Sequence, residues 1–546
     1  MTATTTNANT DVPFVSTLPE LLTRQVQQQP TRIAIGTSDL QTTITYGQLD
    51  ALVQSAIAQL SRFGLRRGDT VALVSDNSVE FVIGLLAIVS AGARVAPLNP
   101  ALTSAEFSAR LSVLSPYGVI VPRHLVSKLQ YAKSVVKNIS CWIMDVEGSG
   151  TSASVRIDEI GSTPREVPTA EPLISIGDDE VALLAFTGGT TGTPKLVPWT
   201  HRNIAASITG ISSGYALSPN DVTLIVMPLF HGHGLVAGLL STLASGGSAY
   251  LPSTGAFSAH LFWPDVLRLG VTWYTAVPTI HRILLNRASQ EYPKSSPVPL
   301  RFIRSCSAPI DEELAAATTA TFKAPMISAY GMTETCHQLS SNPLPGNGPN
   351  KTSSVGLATG VEIKIVDESG RDVPSGGVGE IWVRGATVTS GYLDNPEANA
   401  ASFVDEWYRS GDLGSKDEDG YIFLRGRLKE MINRGGEKIS PQDVDEVLLS
   451  HPKVLEAASF GEADKIYGEN VQAAVILRPG MQATESELQD YCRTRLSAFE
   501  VPQRIHIVAN FPRTAKGSTD RNALALQFTA SESTVSDTRG KRLGRE

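Results

Sequence analysis

Between Val71 and Met332, short apolar runs alternate with longer stretches of helical periodicity. The runs are TVALVSD, ARVAPLN, VALLAFT, VTLIVMPL, VTWYTAVP, RFIRSCS and PMISAYG. Continuous apolar strands separated by helices predict parallel sheets covered on both faces, with ligands at the C-terminal strand ends. The segment FVIGLLAIVSAGARV falls short of the roughly 20 residues a bilayer span needs and predicts a buried helix. After about Gly356, VEIKIVDESGRDVPSGGVGEIWVRG alternates in polarity, with DESG and PSGG as turns, and predicts a small antiparallel or barrel-like unit. Beyond YIFLRGRLKEMINRGGEKISP, the runs VLEAASFGE, VQAAVILRPG and RIHIVANFP alternate with helices, as in a separate small α+β domain. The expected fold class is therefore α/β. A large N-terminal domain over 13–426 holds parallel sheets covered by helices plus the β-barrel-like subdomain, and a small mobile α+β domain covers 427–526. The polar ends, 1–12 and 527–546, are expected to be disordered.

Composition narrows the function. A chain of 546 residues is too long for one hydrophobic core. With 42% hydrophobic and 18% charged residues and a mean hydropathy of -0.02, it reads as globular rather than membrane-embedded. A net charge of -8 argues against a general nucleic-acid surface, so an anionic ligand must meet local donors. Cys141, Cys306, Cys336 and Cys492 are scattered without metal-ligand spacing, which suggests neither zinc nor a disulfide framework and fits a reducing compartment. The start, MTATTTNANT, lacks a signal-peptide pattern, and the end, GKRLGRE, is not a peroxisomal tripeptide. A cytoplasmic location is expected.

The strongest local chemistry lies in LLAFTGGTTGTPKLVPWTH. A buried strand leads into Thr187, Gly188, Gly189, Thr190, Thr191 and Gly192, followed by Thr193, Pro194 and Lys195. Glycines let the backbone approach phosphate oxygens, hydroxyls add donors, and Lys195 adds positive charge. The spacing is not that of a P-loop NTPase, and a plain Gly/Thr turn is the alternative. The loop resembles the phosphate-binding signature of the adenylate-forming superfamily: acyl-CoA synthetases, luciferases and peptide-synthetase adenylation domains. SAYGMTE (Ser328 to Glu334), YRSGDLG (Tyr408 to Gly414), GRLKE (Gly426 to Glu430) and NRGGEKISP (Asn433 to Pro441) follow in family order.

That resemblance implies a two-step reaction in which a carboxylate and ATP give acyl-AMP and pyrophosphate, and coenzyme A then takes the acyl group. It assigns Tyr330 to adenine, Thr333 to phosphate and Glu334 to Mg²⁺, and it adds Ser307 and Ala329 to the ATP-binding set. Mg²⁺ bound with substrate phosphates needs only a carboxylate or two. Asp412 is expected on the ribose hydroxyls and Arg427 on the ribose or α-phosphate, with a simple ion pair as the alternative for Arg427. Lys429 matches the family's hinge. Gly435 and Gly436 would line a thiol tunnel or would simply form a turn.

Three segments, MPLFHGHGL, FIRSCSAPI and MTETCHQLSSNPLP, resemble the oxalyl-CoA synthetase and peroxisomal-CoA-synthetase-like branch. They bring His231, His233, Ser305, Ser307 and His337 to strand ends facing the site. Hydroxyls and imidazoles there suit a second carboxylate and favour a small di- or tricarboxylic acid; for any one histidine a structural role is as good a reading. His233 and His337 are the preferred pair.

One departure stands out in FPRTAKGSTDR. The family's adenylating lysine follows the glycine in P-x-T-x-x-G-K-x-x-R, and here that position is Ser518. Pro512, Thr514, Gly517 and Arg521 keep the register, while Lys516 lies two positions earlier. Losing this cation is expected to weaken adenylation by roughly 10²- to 10³-fold, by analogy with a lost oxyanion donor, unless Lys516, Lys195 or a partner supplies the charge. The expected function is a CoA ligase for a small polycarboxylic acid. The alternatives are an acyl-adenylate donor to a separate carrier protein or other nucleophile, and a non-catalytic nucleotide-binding relative.

Overall fold

The computed structural model describes residues 16–161, 175–187, 195–294, 298–351, 353–513 and 519–528. The chain divides into two units. Of the described residues, the larger takes in those up to Glu362 and Val383–Tyr408; the smaller takes in Ile363–Trp382 and those from Arg409 onward. The division runs through the strands Val361–Val366, Val378–Gly385 and Trp407–Lys416. The boundary expected near Arg427 lies within the smaller unit.

All seven apolar runs contain strands. Thr70–Val74, Arg94–Leu98 and Val181–Phe186 belong to a seven-stranded sheet. Val222–Leu224, Trp273–Ala276, Phe302–Ser305 and Met326–Tyr330 belong to a nine-stranded sheet. Their central pairings are parallel, as in Ala72↔Ala96 and Ile303↔Met326. Strands at the margins run antiparallel, as in Met144↔Ile157 and Ala185↔Val197. Burial on both faces explains why these runs do not alternate in polarity.

The helix Val79–Ser90 corresponds to the FVIGLLAIVS segment. Ser78 caps it by accepting from the Phe81 N–H. Apart from Glu80 and the terminal Ser90, every residue is buried. It packs in one core with Ile35, Ala249 and Phe302 of one sheet and Val71, Val95 and Ile120 of the other. Each large apolar side chain sequestered there contributes roughly 1.5–3 kcal/mol, so packing on all sides, rather than an amphipathic stripe, holds this helix.

In the smaller unit, Val454–Asp464 and Gly468–Leu477 form a long antiparallel pair, and Arg504–Ile507 joins in parallel. The helices Pro441–Leu449 and Glu485–Arg493 supply Val444, Leu448 and Leu488 to a core with Ile432, Val471 and Val475. Trp407–Lys416 and Ile422–Arg427 pair antiparallel, and the alternating segment supplies the strands Val361–Val366 and Val378–Gly385 to the same five-stranded sheet. Among the described residues, no helix is long and apolar enough to cross a membrane.

Candidate active site

Two hydrogen bonds close the neck of the Gly/Thr loop. The Thr187 N–H donates to the Lys195 carbonyl at 3.0 Å, and the Lys195 N–H donates to Thr187 Oγ1 at 3.3 Å. The antiparallel pair Phe186↔Leu196 lies just behind them. Gly188, Gly189, Thr190, Thr191 and Gly192 lie outside the described residues.

From this neck Lys195 places its ammonium 4.3 Å from the centroid of the Tyr392 ring, a cation–π distance. The Tyr392 hydroxyl donates to Glu334 Oε1 at 2.9 Å and lies 3.4 Å from the Tyr408 hydroxyl. Burial, helped by the Glu334 charge, raises the Tyr392 phenol above its ordinary range and keeps it a donor. The Trp199 indole N–H donates to the Thr333 carbonyl at 2.7 Å, and the Thr389 N–H donates to the Glu334 carbonyl at 2.9 Å. The segment carrying Thr333 and Glu334 is thereby tied to the strand that follows the loop. Among the described residues, no group of three or more His, Cys, Asp or Glu side chains could form a metal cage. Glu334 as a single, hydrogen-bonded carboxylate fits Mg²⁺ that also takes phosphate oxygens.

Ala329 and Tyr330 end the strand Met326–Tyr330, both buried. The turn after them is tight: a Cβ on Gly331 would lie 2.4 Å from the His337 carbonyl group. Cys336 and His337 then take left-handed backbone, with φ of 48° and 68°. Such conformations cost non-glycine residues of order 1–3 kcal/mol and persist where surroundings enforce them.

This turn delivers His337 onto His233, ring centroids 4.8 Å apart and planes 26° from parallel. His233 opens the π-helical segment His233–Leu240. A Cβ on Gly232 would come within 2.9 Å of both His337 Cβ and the Trp199 ring, so glycine there permits the close approach. His233 Nδ1 lies 3.0 Å from Ser307 Oγ, and its Nε2 lies 2.6 Å from Thr275 Oγ1. Ser307 is exposed and also left-handed, with φ of 71°. Burial first, and then the positive surroundings of His337 and Arg304, holds His233 well below its ordinary pKa and thus neutral. Ser305 Oγ is buried with no hydrogen-bond partner among the described residues. His231 lies against Phe230, with ring centroids at 4.9 Å and planes tilted by 52°, and is half-buried.

Sequence reasoning missed Tyr392, Trp199, Thr275 and Arg304. Arg304 is fully buried. Parallel register sets Thr275 beside it, and Ser305 beside Ser328, at the ends of three neighbouring strands. Trp199 and Arg304 lie inside LLAFTGGTTGTPKLVPWTH and FIRSCSAPI, but nothing local gives either of them a role; Thr275 has only its apolar strand run as a signal, and no quoted segment covers Tyr392.

In the smaller unit, Asp412 and Arg427 face each other across an antiparallel pair and form a salt bridge at 3.0 Å, Asp412 buried and Arg427 exposed. Lys429 is exposed on the short turn Leu428–Glu430. Gly435 and Gly436 make the two-residue turn between paired Arg434 and Glu437, with φ of 62° and 96°. That is type I′ hairpin geometry, which favours glycine at both places. Lys516 and Ser518 lie outside the described residues. The segment is closed by a bridge between Arg513 and Thr519, and Arg521 beyond it forms an ion pair with buried Asp445.

Residues 22–393 match the AMP-binding enzyme family and residues 443–518 its C-terminal domain. The chain belongs to the AMP-binding enzyme family. It is 44% identical over 519 residues to an oxalate–CoA ligase of Arabidopsis thaliana, covering 94% of this chain and 98% of that one. A sulfoacetate–CoA ligase of Cupriavidus necator is 33% identical over 523 residues, covering 94% and 98%. Among solved structures, the Bacillus subtilis o-succinylbenzoate coenzyme A synthetase in complex with ATP and magnesium ion superposes with a TM-score of 0.77 at 29% identity, covering 92% of this chain and 98% of that one.

Proposed function

We propose that the protein activates a small acid bearing a second anionic group, using ATP, and transfers the acyl group to coenzyme A. A carboxylate oxygen attacks the α-phosphorus and pyrophosphate leaves; the CoA thiolate then attacks the acyl carbon and AMP leaves. Thr187, Gly188, Gly189, Thr190, Thr191, Gly192, Lys195 and Thr333 bind phosphate oxygens, Ala329 and Tyr330 border the nucleotide, Ser307 stands between the nucleotide and the acid, and Asp412 and Arg427 take the ribose. Glu334 would hold Mg²⁺, which when bound offsets phosphate charge. Lys195 and Lys516 are the candidate cations for the adenylation step in place of the residue absent at position 518. His231, His233, Ser305 and His337 face the acid, Gly435 and Gly436 the pantetheine arm, and Lys429 is the hinge. The compartment is the cytosol, in keeping with four buried, free thiols.

The observation that carries this reading is one short segment with two duties. Glu334 accepts from Tyr392 beneath Lys195, and three residues later His337 stacks on His233, whose ring bonds Ser307. Phosphate chemistry and a polar acid pocket therefore share a single strained turn. A wall of imidazoles and hydroxyls is ill-suited to an alkyl chain, because unmet polar groups would be left buried. The relatives named for oxalate, sulfoacetate and o-succinylbenzoate all take acids with a second acidic group.

A panel of mono-, di- and tricarboxylates and sulfoacetate, read by pyrophosphate release and then by product mass with CoA, tests the proposal. Oxalate and other small doubly charged acids should be the active substrates. Release with fatty monocarboxylates alone, or with no acid at all, would remove it.

A further inference from the structure

Arg304 is a fully buried cation whose three hydrogen bonds to oxygen all go to neutral acceptors, with the Cys306 sulfur also beside it. Its Nε donates to the Tyr215 hydroxyl at 3.0 Å, one terminal nitrogen to Thr275 Oγ1 at 3.1 Å, and the other to Gln338 Oε1 at 3.1 Å. No carboxylate among the described residues pairs with it. Burying such a charge costs several kcal/mol even after relaxation, so its retention calls for a function.

The hydrogen bonds have a direction. A guanidinium only donates, so Thr275 Oγ1 must accept from Arg304 and has one hydrogen of its own to place. Among the described residues the acceptor in reach is His233 Nε2, at 2.6 Å. An Nε2–H tautomer would leave the buried Thr275 hydroxyl with nowhere to donate. Nε2 therefore accepts, and in the neutral ring the proton must sit on Nδ1. Nδ1–H then donates to Ser307 Oγ at 3.0 Å. Ser307, at the exposed end of the chain, is left with its hydroxyl hydrogen uncommitted among the described residues. The opposite tautomer would reverse the polarity, so that Ser307 donated inward and presented only lone pairs outward. Toward an anion that is the difference between attraction and repulsion.

We propose that Arg304, acting through Thr275, is a positioning residue that fixes His233 as the Nδ1–H tautomer and turns the Ser307 hydroxyl hydrogen toward the anionic end of the acid. The part concerning the acid rests on the function proposed above; the tautomer does not. The buried guanidinium also keeps the potential at this end of the pocket positive, which a second anionic group on the substrate balances.

The test uses the full-length protein labelled with nitrogen-15 histidine, with His233→Asn serving to assign the His233 signals. The expected spectrum shows Nδ1 protonated and Nε2 bare. Steady-state kinetics then compare Thr275→Val, which keeps shape but removes the hydroxyl, with Thr275→Ser, which keeps the hydroxyl. Thr275→Val should raise KM for the acid about tenfold, the scale of one lost hydrogen bond to a charged group, with KM for ATP unchanged. Thr275→Ser should restore it. A protonated Nε2 in the wild-type protein overturns the proposal, as does a Thr275→Val enzyme with wild-type KM for the acid. If the wild-type protein releases no pyrophosphate with any doubly charged acid, the proposed function fails while the spectrum still decides the tautomer.

Discussion

Glu334 and Arg304 are both charged residues brought to the ends of apolar strands, yet only one could be read from its neighbours. Glu334 sits in the seven-residue motif SAYGMTE, whose local order carries its role. Arg304 has meaning only through Tyr215 and Gln338, 89 and 34 positions away along the chain. Tyr392 is similar, reaching Glu334 across 58 positions. Position 518 poses the opposite case, in which the motif is legible and one residue breaks it. Restoring the cation with Ser518→Lys should raise the rate of acid-dependent pyrophosphate release, up to roughly 10²-fold if the missing charge limits the step. Lys516→Ala should abolish residual release if Lys516 has taken over. Single-turnover adenylation measures both, and no change in either variant rejects the account.

Elements set the conditions under which such residues work. Gly435 and Gly436 form a hairpin turn that is demanded by local geometry, whatever else they do. Gly436→Asn separates the two roles, because asparagine tolerates left-handed backbone and nothing lies within 4 Å of a Cβ there. Its stability should stay within about 1 kcal/mol of wild type. Thioester formation should fall while pyrophosphate release holds, if this turn borders the thiol; unchanged thioester formation leaves a turn and nothing more. Two buried histidines early in helices add a pH response. His201, which accepts from the Leu18 N–H, and His281, beside Tyr274, are each lowered by burial to about 4. The unfolded chain binds these protons near pH 6.5, so the stability they contribute is complete above that pH. It is lost as pH falls from about 6.5 toward about 4, by about 3 kcal/mol per histidine. Urea midpoints across that range should decline, and His281→Gln should flatten the decline.

For the whole molecule, ligand and hinge effects are the accessible readouts. ATP with Mg²⁺ at about 100 times its Kd should stabilise the protein by about 2.7 kcal/mol, seen as a higher Tm, and Glu334→Gln should remove the magnesium-dependent part. Lys429→Pro, which fixes φ and deletes an N–H on the exposed turn, should slow the two half-reactions unequally if a domain swing separates them; equal slowing argues against a hinge there. At this scale the chain was legible in part. Alternation of unbroken apolar runs with helices determined the parallel sheets, because a strand buried on both faces has no polar side to show. Turn chemistry marked the antiparallel segment, since glycine is needed where φ is positive. The ordered motifs determined the family. Tertiary structure alone decided which distant segments pack into each contact unit, with the division running through three strands, because contact between distant segments leaves no trace in local periodicity. It alone also decided that Arg304, Thr275, His233 and Ser307 form one directed chain, because parallel register and a strained turn bring together donors and acceptors whose spacing along the sequence carries no pattern.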